Sequence, residues 1–195
     1  MKHSKRPMTA AILHAAFLVA LTSCAAGPKG SVYHDSGMDF GAIRSVAVMP
    51  FENLTNERMA AGRVRDVLMT SLISTDAFYV LPPGEVARGA AGAGIRNPAA
   101  PSPEEVVKLG PAIKADAVIT GVIREYGQAR SGSATANLIS LGLQIMETQT
   151  GKVVWSADAT KGGISTWDRL FGGGGDPMND ITQEAVNALL DKLFE

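Results

Sequence analysis

The sequence predicts an α/β domain, close to the α+β border, in which a mixed sheet carries helices. Three observations predict it. An early β-α-β pattern spans Ile43 to Leu81, a late pair of alternating strands spans Thr135 to Thr160, and an amphipathic helix closes the chain. A helical crossover between Ile43–Met49 and Phe78–Leu81 requires parallel pairing, whereas a short turn at Gln149-Thr150-Gly151 requires antiparallel pairing. Both must therefore coexist in one sheet.

The elements follow in order. Ile43–Met49 is an apolar run ended by Pro50, the pattern of a buried strand. Asn53, Thr55 and Asn56 are suited to cap the next helix. From Glu57 to Ser74, Met59, Ala60, Val64, Val67, Leu68, Ser71 and Leu72 form one helical face. Phe78–Leu81 is a second strand, stopped by Pro82-Pro83-Gly84, and Glu85–Ile95 suits a short helix. Ser102-Pro103-Glu104-Glu105 is a helix start: Ser caps, Pro occupies the first turn, and Glu105 completes a capping box. Gly110-Pro111 should kink or end that helix. Ala117–Tyr126 is a third strand. In Thr135–Thr148, Ile139, Leu141, Leu143 and Ile145 share one face, and Ser140, Gly142 and Gln144 share the other, solvated one. Lys152–Thr160 returns antiparallel to it. A helix at Met178–Phe194 presents Ile181, Ala185, Ala188, Leu189 and Leu193, with Asp176 or Asp180 available as its cap.

Charge divides the chain before any site is considered. The 195 residues carry 18 Lys+Arg against 19 Asp+Glu. Residues 1–23 hold Lys2, Lys5 and Arg6 and no acid, so the remainder is mildly acidic, which argues against nucleic-acid binding. His3 and His14 also lie in residues 1–23, so without that stretch one Cys and one His remain, too few for a four-ligand zinc site, and a single Cys cannot form an intrachain disulfide.

A basic start, the apolar run Met8–Ala20, small residues and then Cys24 have the organisation of a secretory signal. The apolar run is shorter than the about 20 residues of a spanning helix. Leu21-Thr22-Ser23-Cys24 resembles the bacterial lipoprotein signal. That resemblance implies a diacylglyceryl thioether on Cys24, cleavage before it, and acylation of the new amine. Several acyl chains give stable membrane anchoring. Ala25 and Ala26 follow the Cys rather than Asp, so the resemblance implies an outer-membrane address with the domain facing the periplasm. Residues 25–40 (AAGPKGSVYHDSGMDF) read as a flexible tether with an r.m.s. span of about 20–24 Å. His34 is expected there as a solvated side chain, and the domain occupies residues 41–195.

Three stretches carry a family resemblance. Val46-Ala47-Val48-Met49-Pro50-Phe51-Glu52-Asn53-Leu54-Thr55 resembles the first strand and exit loop of the curli-secretion lipoprotein superfamily. That superfamily includes the penicillin-binding-protein activator lipoproteins and the amino-terminal domain of the periplasmic Tol protein. Leu109-Gly110 with Ala115–Gly121 is similar to its helix-to-strand passage, and Thr150–Trp155 to its late hairpin. The resemblance implies a periplasmic protein-binding module without catalytic activity, and it names no partner.

The residues themselves offer little chemistry. A Ser-His-Asp arrangement would have to draw on His34. Glu104-Glu105 reads as first-turn helix charge and Asp116 as a turn residue. Gly172–Gly175 precedes Asp176 and Asp180, which would repel a phosphate. GAAGAG at 89–94 does not follow a strand. Neither metal nor cofactor is implied. Trp167 and Phe171, beside the glycine run, are candidate partner-binding anchors if they do not simply cover the sheet. The reading favoured is a membrane-anchored adaptor, assembly or regulatory factor for an envelope protein complex. Next comes a structural or small-ligand-binding lipoprotein. A subunit of an oligomeric curli-type pore ranks lower, because Lys152–Thr160 is short and charged for a spanning strand.

Overall fold

The computed structural model describes residues 31–132, 134–164 and 175–195. Strands are β1 (Val32–His34), β2 (Ser45–Val48), β3 (Glu52–Asn53), β4 (Tyr79–Val80), β5 (Ala117–Ser131), β6 (Ala134–Glu147) and β7 (Val153–Gly162). Helices are α1 (Ala60–Thr75), α2 (Pro83–Gly92), α3 (Pro103–Ile113) and α4 (Met178–Phe194). The strands form one mixed sheet ordered β1-β7-β6-β5-β2-β4, with β3 pairing β5 farther along the line of β2. β2 is parallel to both β4 and β5, while β5, β6, β7 and β1 run antiparallel in succession. The expected α/β class, early β-α-β unit, late hairpin and closing helix are all present.

Each face of the sheet has its own core. On one, Val46, Val48, Ile119, Ile123, Leu141, Ile145 and Trp155 pack under α1 and α4. On the other, Ala47, Met49, Val118 and Met146 pack under α2 and α3. Trp155 is fully buried and donates from Nε1 to the Lys192 carbonyl in the last turn of α4 at 3.4 Å. A glycine stands at 121, on the first face, where a Cβ would sit 2.8 Å from the Phe51 ring.

Several expectations are corrected. Part of the stretch read as a tether is built into the domain: Val32–His34 pairs with Ala157–Trp155, and Phe40–Ala42 forms a 3-10 turn capped by Asp39. His34 stands on a strand rather than in a linker, and its side chain is solvent-exposed as expected. Its Nε2 lies 3.2 Å from the Lys192 carbonyl, and its ring sits edge-on to Phe40 and Trp155. Asn53 and Thr55 do not cap α1, which starts at Ala60 without a side-chain cap. Asn53 Oδ1 instead accepts from Thr55 N and Oγ1, and its amide donates to the Glu57 carbonyl, so the pair orders the loop. Neither Asp176 nor Asp180 caps α4; Pro177 occupies that position, and Asp180 lies in the first turn, where the helix dipole favours an acid. Pro111 does not break α3, which continues to Ile113. In the last turn its missing N–H frees only one carbonyl, and Lys114 then ends the helix in the left-handed region. The Ser102–Glu105 capping box is formed as expected.

The ends of three strands are stitched together at Asp116. Its carboxylate accepts from Arg44 N, Ser45 N and Ser45 Oγ at 3.0, 2.9 and 2.9 Å, and its own N–H donates to the Ser45 carbonyl. Thr148 Oγ1 bonds the Ala115 and Asp116 carbonyls, adding β6 to the clasp. Gly110 allows this approach, since a Cβ there would lie 2.4 Å from Thr148 Cβ. Burial opposes ionisation of Asp116, but the bonds from Arg44 and Ser45 together outweigh it and hold the carboxyl below its usual range. The stabilisation is therefore full above the unfolded pKa of about 3.9 and disappears as pH falls through the lower folded value. Asp116→Ala is expected to lower stability at pH 7 by about 1 kcal/mol, allowing for solvent screening of this partly exposed group. Denaturation between pH 7 and 3 should show a flatter acid dependence in the variant.

Candidate functional site

The second face of the sheet is only half covered. α2 and α3 shield Ala47, Met49, Val118 and Met146. Farther along the strands, Thr120, Val122 and Arg124 of β5, Gly142 and Gln144 of β6, and Ser156 and Asp158 of β7 line an open groove. Glu52 of β3 and the Ala99-Ala100-Pro101 segment wall it, enclosing about 510 Å³. Period-two alternation explains this composition. The same strands send Ile119, Ile123, Leu141, Leu143, Trp155 and Ala157 into the opposite core.

An ion pair crosses the groove. Arg124 Nη1 donates to Asp158 Oδ1 at 2.6 Å, with both side chains a little under half exposed. Arg124 lies on β5 and Asp158 on β7, so the bridge spans β6. Gly142 makes this possible: a Cβ there would lie 2.7 Å from Asp158 Oδ1 and 2.8 Å from Arg124 Nη2. A bulge contributes as well. Ile123 pairs with Leu141 and Glu125 with Ser140, leaving Arg124 as the extra residue. Ile123 and Tyr126 both enter the covered core, so Arg124 and Glu125 are both directed away from it.

This groove offers hydroxyls, an amide and a paired guanidinium and carboxylate, which suits hydrogen-bonded recognition. Its lining holds neither imidazole nor thiol. Among the described residues, no group of three or more His, Cys, Asp or Glu is placed to hold a metal. Sequence reading identified the polar face of β6 but not the cross-strand pair. Cys24, Trp167 and Phe171 lie outside the described residues.

These features define an α/β module whose sheet is buried on one face and half open on the other. Residues 29–160 match the model of the peptidoglycan-synthase activator LpoB family, and the chain belongs to that family. The match falls on the activator-lipoprotein branch of the resemblance seen in the sequence. The fold is similar to that of a PelC dodecamer from Paraburkholderia phytofirmans, with a TM-score of 0.58 and 18% identity over 84% of this chain and 98% of that one. It is likewise similar to lipoprotein GNA1162 from Neisseria meningitidis, with a TM-score of 0.56 and 20% identity over 77% and 98% of the two chains. At such identities these likenesses speak to the fold alone. No curated protein matches the sequence.

Gly142→Ala is expected to separate Arg124 from Asp158 at a cost of about 0–1 kcal/mol, since the added methyl displaces only the mobile ends of two half-exposed side chains. Arg124→Ala, which removes only a half-exposed pair, should cost about 0–1 kcal/mol. Urea denaturation should place both variants within about 1 kcal/mol of the unsubstituted chain.

Proposed function

We propose that this chain is a lipid-anchored, non-catalytic activator of a peptidoglycan synthase, held at the outer membrane through Cys24 with its domain in the periplasm. Membership of the activator family over residues 29–160 carries the reading. Two further features support it. No helix among the described residues is long and apolar enough to cross a membrane, which fits attachment through a lipid. The half-open sheet face offers a partner directional hydrogen-bonding groups beside a fixed ion pair. We assign the synthase to that face. Arg124 and Asp158 neutralise each other in the free domain and can re-pair with the partner's charges without leaving a charge buried alone.

Binding would act by favouring an active arrangement of the synthase, which requires tighter binding to that arrangement than to the resting one. The first test is addition of the lipidated chain in detergent to the cell's own synthase. Glycan-chain polymerisation should accelerate several-fold, and Gly142→Ala should lose most of that gain at equal protein concentration. An unchanged rate would sink the activator reading. A large ring of copies that conducts ions across a bilayer would support the curli-type pore instead.

The second test concerns the anchor. Mass spectrometry of the amino-terminal peptide should find an acylated Cys24 with residues 1–23 removed. An intact, unmodified amino terminus would overturn lipid attachment while leaving the synthase assay to stand or fall separately.

A further inference from the structure

A smaller cavity, sharing no lining residue with the sheet-face groove, opens at the carboxyl end of β2. It encloses about 250 Å³ between Arg65 of α1, which covers one sheet face, and α2, which covers the other. Crevices beyond the carboxyl ends of parallel strands, between helices on opposite faces, are where open α/β sheets receive ligands.

Arg65 is there for a local reason. The Val46 carbonyl is satisfied by Leu81 N at 2.9 Å across the β2–β4 pairing. The next donor in register would be residue 83, which is Pro and has no N–H. Val48 O would be left without a strand partner. Arg65 supplies the bond, donating to Val48 O from Nε at 3.2 Å and Nη2 at 2.6 Å. That uses two of five guanidinium N–H groups. The others have no partner among the described residues, where the one ion pair is Arg124–Asp158. Burial opposes the Arg65 charge, and neighbouring Asp66 offsets this only in part. The cavity lining adds a second cation, Arg96, and no acid; its walls are Val86, Ala87, Ala90 and Ile95.

We infer that this cavity binds an aliphatic carboxylate. The free edge of Arg65 receives the carboxylate oxygens, Arg96 at the exposed rim adds attraction, and the aliphatic body lies on Val86, Ala90 and Ile95. A planar, singly charged group matches the guanidinium fork. A phosphate dianion would bring another charge and further oxygens to walls without donors. The volume is below the about 300–1,000 Å³ of sites for drug-sized ligands, so the occupant is short: a peptide carboxyl terminus or a short acyl chain.

The experiment is calorimetric titration of the full-length chain in non-ionic detergent with hexanoate, N-acetyl-alanyl-alanine and N-acetyl-alanyl-alaninamide. Saturable binding of a carboxylate, with the amide silent, is the expected result. Preference for the dipeptide identifies a peptide terminus as the source, and preference for hexanoate an acyl chain. Ala87→Leu, at an exposed wall position, should weaken binding at least about tenfold without altering the melting curve. Arg65→Met should abolish binding, and Arg65→Lys should retain part of it. Should Arg65→Met fail to fold, Ala87→Leu decides. The inference is overturned if neither carboxylate saturates below about 10 mM, if the amide binds equally, or if Ala87→Leu leaves affinity unchanged.

Discussion

The antiparallel pairing of β5 with β6, from Ala117–Glu147 to Ser131–Ala134, is the constraint on which the rest of the molecule depends. Its register decides which residues of both strands enter each core. A one-residue slip would exchange Ile139, Leu141, Leu143 and Ile145 for Ser140, Gly142 and Gln144 beneath α4. The bulge at Arg124 is tolerated because Ile123 and Tyr126 still reach the same core on either side of it. The neighbours on both sides inherit this register. β2 aligns Val46–Val48 with Ala117–Ile119, and β7 aligns Trp155 with Ile145. The Asp116 clasp and Thr148 lock the register at one end, where β2, β5 and β6 meet.

From that register the two ligand-facing surfaces follow by different routes. The groove is what remains of a sheet face that α2 and α3 cover only in part, and its chemistry is the outward half of the strand alternation. The smaller cavity arises from a backbone defect. Pro82-Pro83 stops β4 one donor short, and a helix arginine makes up the missing bond. One is broad and polar, with an ion pair across it and Glu52 at its wall, the properties of a surface that meets a protein. The other is narrow, apolar and positively charged, the properties of a site that holds a small anion.

Much of this architecture was legible in the sequence. The bounds of α4 could be read because an apolar stripe persists over several turns between Pro177 and the chain end. The capping box at Ser102–Glu105 could be read because it is a local chemical motif. The β6–β7 hairpin could be read because alternation persists around a Gly turn. Val32–His34 was not legible. Three residues are too few to show a period, and their Gly- and Ser-rich neighbourhood reads as linker; what places them is pairing with Trp155–Ala157, more than a hundred residues away. β5 was expected to stop at Tyr126, because Gly127 and the polar residues after it obscure a strand that β6 nonetheless pairs to Ser131.

The sites were less legible than the fold for a related reason. Arg124, Gly142 and Asp158 lie on three strands, and their relation exists only once a bulge and two registers are fixed. Gly142 reads in sequence as a weak strand residue, yet in the fold it is a position where a side chain would separate the pair. Arg65 flanks the apolar stripe of α1 and reads as an ordinary solvated helix cation. Its role depends on a carbonyl in β2 and on a proline that lacks an N–H in the strand beside it. Local periodicity records which face a residue occupies, but a functional constellation is a set of distances between faces. Those distances are set by the same long-range pairing that makes the sheet, so in this chain the polar residues with the least local signal depend most on the global register.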